Sequence, residues 1–160
     1  MVSSTLALTE QATWDALAEI KDPEIPVLSV VEMHIVNRVS VTGESVTVEI
    51  TPTFSGCPAM DLIQAEIGDK LRSLGFSEVV VNKKMSGFWS TDLLNETSRE
   101  KLRAFGIAPP PTASPASERV ACPHCLSSDT RLDSPFGSTL CKQIFFCNGC
   151  RQSFERFKRL

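Results

Sequence analysis

The chain has 160 residues, 42% of them hydrophobic and 22% charged, with a formal net charge of −3. That suffices for one medium domain, or a domain with a small module, and for a real core. The composition excludes a membrane span, which needs roughly 18 consecutive apolar residues, and residues 1–8 lack the basic and apolar regions of a signal peptide. Charge is uneven: residues 1–119 carry 16 acidic and 10 basic side chains, whereas residues 120–160 carry 3 and 6. Neither part has the basic surface expected of a nucleic-acid binder.

In chain order, Thr9 is placed to cap a helix running to about Ile20, with Trp14, Leu17 and Ala18 on one face. Asp22-Pro23-Glu24-Ile25-Pro26 ends it, because two prolines so close forbid helix and fix an extended turn. Met33 to Val41 reads as a strand, Thr42-Gly43-Glu44 as a hairpin connection, and Ser45 to Thr51 as the partner strand, with Val46, Val48 and Ile50 on one face. A helix follows from Pro58 to Leu74. Met60, Ile63, Ile67, Leu71 and Leu74 fall at helical spacing, and Gly75 stands where a terminating glycine belongs. Ser77 to Lys83, with Val79-Val80-Val81, has the continuous apolar run of a buried strand. A last helix is expected from Thr97, where Thr97-x-x-Glu100 fits a capping box, to Phe105-Gly106.

These elements predict an α/β (α+β) fold over residues 1–107: helix-strand-strand-helix-strand-helix around a small mixed three-stranded sheet. Four prolines among Ala, Ser and Thr make residues 108–118 a semi-rigid linker. Residues 119–160 form a separate module. There Cys122-x-x-Cys125 and Cys147-x-x-Cys150, 21 residues apart, let four thiolates converge on one ion. That is the chemistry of a structural zinc ribbon, with one zinc per chain. About 40 residues rarely fold without such a staple. Lys142 to Phe146 and Ser153 to Phe157 would be its strands. Cysteines used this way suit a reducing, cytoplasmic setting.

Two further thiols stand outside that set. Cys57 falls at the start of the Pro58 helix, where unpaired N–H groups and the helix dipole favour a thiolate; a buried cysteine acting as a small hydrophobe is the alternative. Cys141 reads as a spare thiol of the ribbon, either buried or serving in redox or transfer. His34 is either a strand residue that is simply packed or exposed, or a ligand or base. His124 sits in a knuckle already supplied with two sulfurs, so it is left out of the metal set. Trp89 reads as a core lid, or as part of a docking loop Phe88-Trp89-Ser90-Thr91-Asp92. No phosphate loop or nucleophile elbow is present, so the chain reads as a non-enzyme.

Three stretches carry a family resemblance: Asp22-Pro23-Glu24-Ile25-Pro26-Val27, Thr51-Pro52-Thr53-Phe54-Ser55-Gly56-Cys57-Pro58-Ala59-Met60, and Phe136-Gly137-Ser138-Thr139-Leu140-Cys141-Lys142. Together they resemble the PaaD (PaaJ) family of bacterial phenylacetate degradation. The N-terminal part resembles the wider SufT-like iron–sulfur assembly family. The resemblance implies an accessory or maturation role for the phenylacetyl-CoA epoxidation system, with its diiron oxygenase and its reductase carrying flavin and an iron–sulfur cluster. It implies that Cys57 is a ligand for iron or a cluster in transit, with Asp22 and Glu24 as hard ligands or loop supports. A stable structural subunit without metal transfer is the alternative, and a thiol-redox protein using Cys57 and Cys141 a third. A homodimer bridging one cluster is left open. In two places the chain departs from the family pattern: His34 and Leu126 stand where glycine is usual.

Overall fold

The computed structural model describes residues 8–54, 56–84, 89–111 and 119–160. Phe88 and most of the expected linker, residues 112–118, lie outside the described part. The chain divides into two compact units, one ending at Trp89 and one beginning at Ser90. That division differs from the one expected at residue 107, because the last helix and the residues after it fold with the ribbon strands.

In the first unit, α1 (Glu10–Leu17) begins as its sequence predicts, with Thr9 Oγ1 accepting the Ala12 N–H at 3.1 Å. The helix ends at Leu17, short of Ile20, and the chain turns through Glu19 N–H to Ala16 O and Ile20 N–H to Leu17 O. The two-proline loop is closed by the Asp22 N–H on Leu28 O at 2.9 Å and a bridge between Lys21 and Ser29. Ser29 and Glu32 then form a reciprocal capping box: each side chain accepts the other's backbone N–H, at 3.1 and 2.9 Å. This single helical turn is why the first strand starts late. β1 (Val36–Thr42) pairs antiparallel with β2 (Ser45–Ile50).

α2 (Ala59–Leu74) follows, ending on Gly75 at φ 110°, and carries the chain to β3 (Glu78–Lys83), parallel to β2. The sheet order β1-β2-β3 is mixed, as predicted. Met60, Ile63, Ile67 and Leu71 of α2 and Val46, Val48 and Ile50 of β2 are buried. Each such aliphatic side chain contributes about 1.5–3 kcal/mol by leaving water. Trp89 is buried too, its Nε1 donating to Met33 O at 2.6 Å, a core lid as expected. β3 corrects the sequence reading. It is an edge strand, half-buried at Val79 and Val81 and 39% exposed at Val80, because α2 covers one face and no strand lies outside it among the described residues.

The second unit opens with a 3-10 turn (Thr91–Leu93) and α3 (Glu96–Ala104). Asn95, not Thr97, caps this helix, its Oδ1 accepting the Ser98 N–H at 2.9 Å. β4 (Ile107–Ala108) joins a four-stranded sheet with β5 (Thr130–Ser134), β6 (Lys142–Cys147) and β7 (Ser153–Phe157), in the order β4-β7-β6-β5. β6 and β7 match the predicted strands; β4 and β5 are additional to them. The expected linker therefore begins inside this unit. Buried Arg99 holds it there, donating from Nε to Leu94 O and from Nη2 to Thr91 O, each at 3.0 Å, and from Nη1 to Pro110 O.

Candidate metal centre and the Cys57 thiol

The two knuckles of the second unit are built alike. Cys122 N–H donates to Ser127 O and Leu126 N–H to Cys122 O, both at 2.9 Å. Cys147 N–H donates to Gln152 O and Arg151 N–H to Cys147 O, again at 2.9 Å. Each loop thereby wraps its two sulfurs towards one point. Cys122 Sγ lies 3.7 Å from Cys150 Sγ, Cys125 Sγ lies 3.5 Å from Cys147 Sγ, and all four sulfurs fall within 4.8 Å of one another. A tetrahedron of 2.3 Å zinc–sulfur bonds has edges of about 3.8 Å, so the donor set fits zinc; disulfide sulfurs would be about 2.05 Å apart. With these thiols considered as titrating groups, the Cys150 N–H on Cys147 Sγ leads in drawing Cys147 down to about 7, while burial pushes Cys150 up to about 12. A cation that displaces these protons relieves the crowding of four sulfurs. His124 is not in the set.

Cys57 belongs to the first unit. An extra residue in β1 near Asn37 makes a bulge, and Asn37 Nδ2 donates to Thr51 Oγ1 at 2.6 Å, fixing the start of the loop that carries the thiol. Gly56 at φ 83° turns the chain in a left-handed conformation that favours glycine. Cys57 is half-buried just ahead of the helical cap Pro58. Its thiol is raised, not lowered, from the usual range. Burial is the largest cause, the negative charges of Glu24 and Asp22 add to it, and hydrogen bonds from Ala59 N–H and Thr53 only partly oppose them. The sequence expectation of a helix-stabilised thiolate is corrected here: one N–H at the helix start is outweighed by desolvation and two carboxylates.

The structure does bring Asp22 and Glu24 within electrostatic reach of Cys57. Asp22 is buried, its Oδ1 accepting the N–H groups of Glu24 and Ile25 at 2.8 Å each. Among the described residues, only the four ribbon cysteines converge as a ready set of three or more metal-binding side chains. His34 is not on a strand. It occupies a left-handed position at φ 52°, with His34 N–H on Val31 O and Ile35 N–H on Val30 O, the closing pattern of a helix that usually ends in glycine. Leu126 is left-handed as well, at φ 63°, so both side chains stand in a backbone conformation that favours glycine. Cys141 is buried, with its sulfur 3.1 Å from Thr139 Oγ1. Arg99 and Asn37 carry no motif, so sequence reasoning misses both.

Residues 10–81 match the family model for iron–sulfur cluster assembly proteins, and residues 107–158 match the PaaD zinc beta ribbon domain. The chain is 40% identical over 148 residues to an Escherichia coli protein provisionally named as one of the subunits of 1,2-phenylacetyl-CoA epoxidase, covering 91% of this chain and 90% of that one. The chain belongs to the PaaD family. A second relative, an Fe-S protein maturation auxiliary factor of Porphyromonas gingivalis, is 31% identical over 96 residues, 59% of this chain and 90% of that one. The fold of the first unit recurs in a domain of unknown function from Bacillus anthracis, at a TM-score of 0.54 and 22% identity over 58% of this chain and 90% of that one. It recurs also in a conserved hypothetical protein from Thermotoga maritima, at 0.52 and 24% over 59% and 94%. This PaaD-family chain thus joins an iron–sulfur assembly domain to a zinc ribbon, and no helix among its described residues is long and apolar enough to cross a membrane.

Proposed function

We propose that this PaaD-family protein is a non-catalytic maturation factor, in which Cys57 receives and delivers iron or an iron–sulfur cluster for the phenylacetyl-CoA epoxidase system. The observation that carries the reading is the grouping of Cys57 with Asp22 and Glu24 on the iron–sulfur assembly domain. Two carboxylates that disfavour an isolated thiolate favour a cation beside it. The thiol stays protonated and unreactive until a metal displaces its proton, which suits a carrier that must load and unload. The ribbon, with its one zinc, serves as the structural and docking module, and a reducing cytoplasm keeps the thiols from pairing as disulfides.

The test is metal and sulfide analysis of the partner oxygenase and reductase matured with wild type or with Cys57→Ser. The expected result is partners depleted of metal while the variant keeps its fold and zinc. Fully loaded partners would sink the proposal. The name of the Escherichia coli relative favours a second reading, a stable subunit of the epoxidase complex without metal transfer. Co-purification at fixed stoichiometry with active enzyme, together with a dispensable Cys57, would select it. A redox pair of Cys57 and Cys141 draws no support from a raised thiol and a buried one.

A further inference from the structure

The outer edge of β3 carries backbone groups aimed away from the sheet. Lys84 N–H donates to Ile50 O at 2.8 Å, so the even-numbered residues point their backbone at β2 and the odd-numbered Val79, Val81 and Lys83 point theirs outward. Gln64 Nε2 already reaches out to Val81 O at 2.8 Å, leaving that carbonyl a second lone pair. Such an edge is a template for another strand. Alongside it, Asp61, Ala65, Gly68 and Arg72 of α2 line an open groove with Val79 and Val81. A side chain on Gly68 would press on the Arg72 guanidinium, 3.1 Å away, so the glycine makes room for that group within the groove.

We propose that this surface binds a second copy of the chain, β3 against β3 antiparallel and α2 against α2, about one two-fold axis at Val80. The charges are self-complementary under that operation. Reversing the α2 stripe sets Asp61 opposite the partner's Arg72 and Ala65 opposite the partner's Gly68, small residues that permit helix axes about 8–10 Å apart. Reversing β3 about Val80 sets Val79 opposite the partner's Val81, with outward-pointing backbone on both. The helix and strand centres coincide. Gln64 marks the level of Val81, and the stripe's midpoint, between Ala65 and Gly68, lies about 4 Å further along the helix at 1.5 Å per residue. One residue along β3 is about 3.3 Å, which brings the midpoint level with Val80. The half-exposed Val80 is then covered by the partner's Val80. The exposed ion pairs Lys83–Asp61 and Arg72–Asp69 rearrange at small cost.

The arrangement has a consequence for Cys57. Antiparallel α2 helices put the two thiols at opposite ends, on the order of 25–30 Å apart, so the copies cannot share one cluster through Cys57. The inference stands whether or not Cys57 carries metal.

Sedimentation of the full chain across a wide concentration range tests it, with zinc content and circular dichroism confirming the fold of each variant. The expected species is twice the 17.5 kDa chain mass. Val80→Lys and Asp61→Arg each weaken association about a hundredfold or more by juxtaposing like charges, and the double variant Asp61→Arg/Arg72→Asp restores it. A wild type that stays monomeric overturns the proposal, as does a dimer indifferent to Val80→Lys. If Val80→Lys fails to fold, the charge swap decides: no loss with Asp61→Arg, or no recovery in the double variant, overturns the proposal equally.

Discussion

Leu126 and Arg151 occupy equivalent places in the two knuckles. Each follows a cluster cysteine, each is left-handed at φ 63° and 59°, and each N–H bonds the first cysteine's carbonyl at 2.9 Å. A side chain in this conformation costs about 1–2 kcal/mol, which glycine avoids at the expense of some unfolded-chain entropy. Leu126→Gly and Arg151→Gly are therefore each expected to stabilise the second unit by about 0.5–1 kcal/mol, read as a higher midpoint in denaturant. His34→Gly should do the same for the first unit. A lowered midpoint in all three would show that their side chains contribute more than their backbones cost.

Zinc removal should act on the second unit alone. Cys122 and Cys147 are themselves part of the small apolar cluster with Ala108, Val120, Phe145 and Phe154. Chelation, or any one of Cys122→Ser, Cys125→Ser, Cys147→Ser and Cys150→Ser, is expected to abolish protection of β5–β7 amides from hydrogen exchange. β1–β3 should remain protected. Metal analysis should return one zinc per chain for wild type.

Much of this was legible because chemistry fixed it locally. The 3.6-residue spacing of Met60, Ile63, Ile67 and Leu71 specified α2, and two C-x-x-C pairs specified the cluster. Other features depend on choices that local sequence leaves open. Asn95-x-x-Ser98 and Thr97-x-x-Glu100 both fit a helix start two residues apart, and the side chain that finds its N–H is Asn95. Val79-Val80-Val81 reads the same in a central strand as at an edge; only the number of strands decides. The Cys57 thiol looks activated from its own neighbours, but burial first, and then the carboxylates of the two-proline loop, reverse that.

For Cys57 the pH dependence has a definite sign. A raised thiol favours the protonated form in the folded state. Its contribution to stability is fully present below the unfolded thiol value of about 8.5 and is lost as pH rises through the higher folded one. Alkylation of Cys57 in a Cys141→Ser background with zinc bound should therefore show a rate midpoint above about 8.5. Asp22→Asn, which retains an acceptor for the Glu24 and Ile25 N–H groups, and Glu24→Gln should each lower that midpoint. A midpoint below the ordinary value in wild type would contradict the account.

Glu155 ties the Phe136-Gly137-Ser138 turn to β6 and β7. Its Oε1 accepts the Ser138 N–H at 2.7 Å and its Oε2 lies 3.1 Å from Lys142 Nζ, whose side chain is buried. Burial alone would raise this carboxyl, but Ser138 and Lys142 outweigh it and hold it below the usual value. Gly137 completes the fit, because a Cβ there would stand 3.0 Å from Glu155 Oε1 and from the Lys142 backbone. Glu155→Gln should cost about 2 kcal/mol at pH 7, and Gly137→Ala should also destabilise. Since the folded carboxyl is depressed, its contribution is fully present above the unfolded value of about 4.3 and is lost as pH falls through the folded one. The gap in denaturant midpoint between wild type and Glu155→Gln should accordingly be widest at neutral pH and close on acidification. Both proteins carry the same four ligand cysteines, so acid release of zinc affects them alike, and a gap that widens towards acid would refute the assignment.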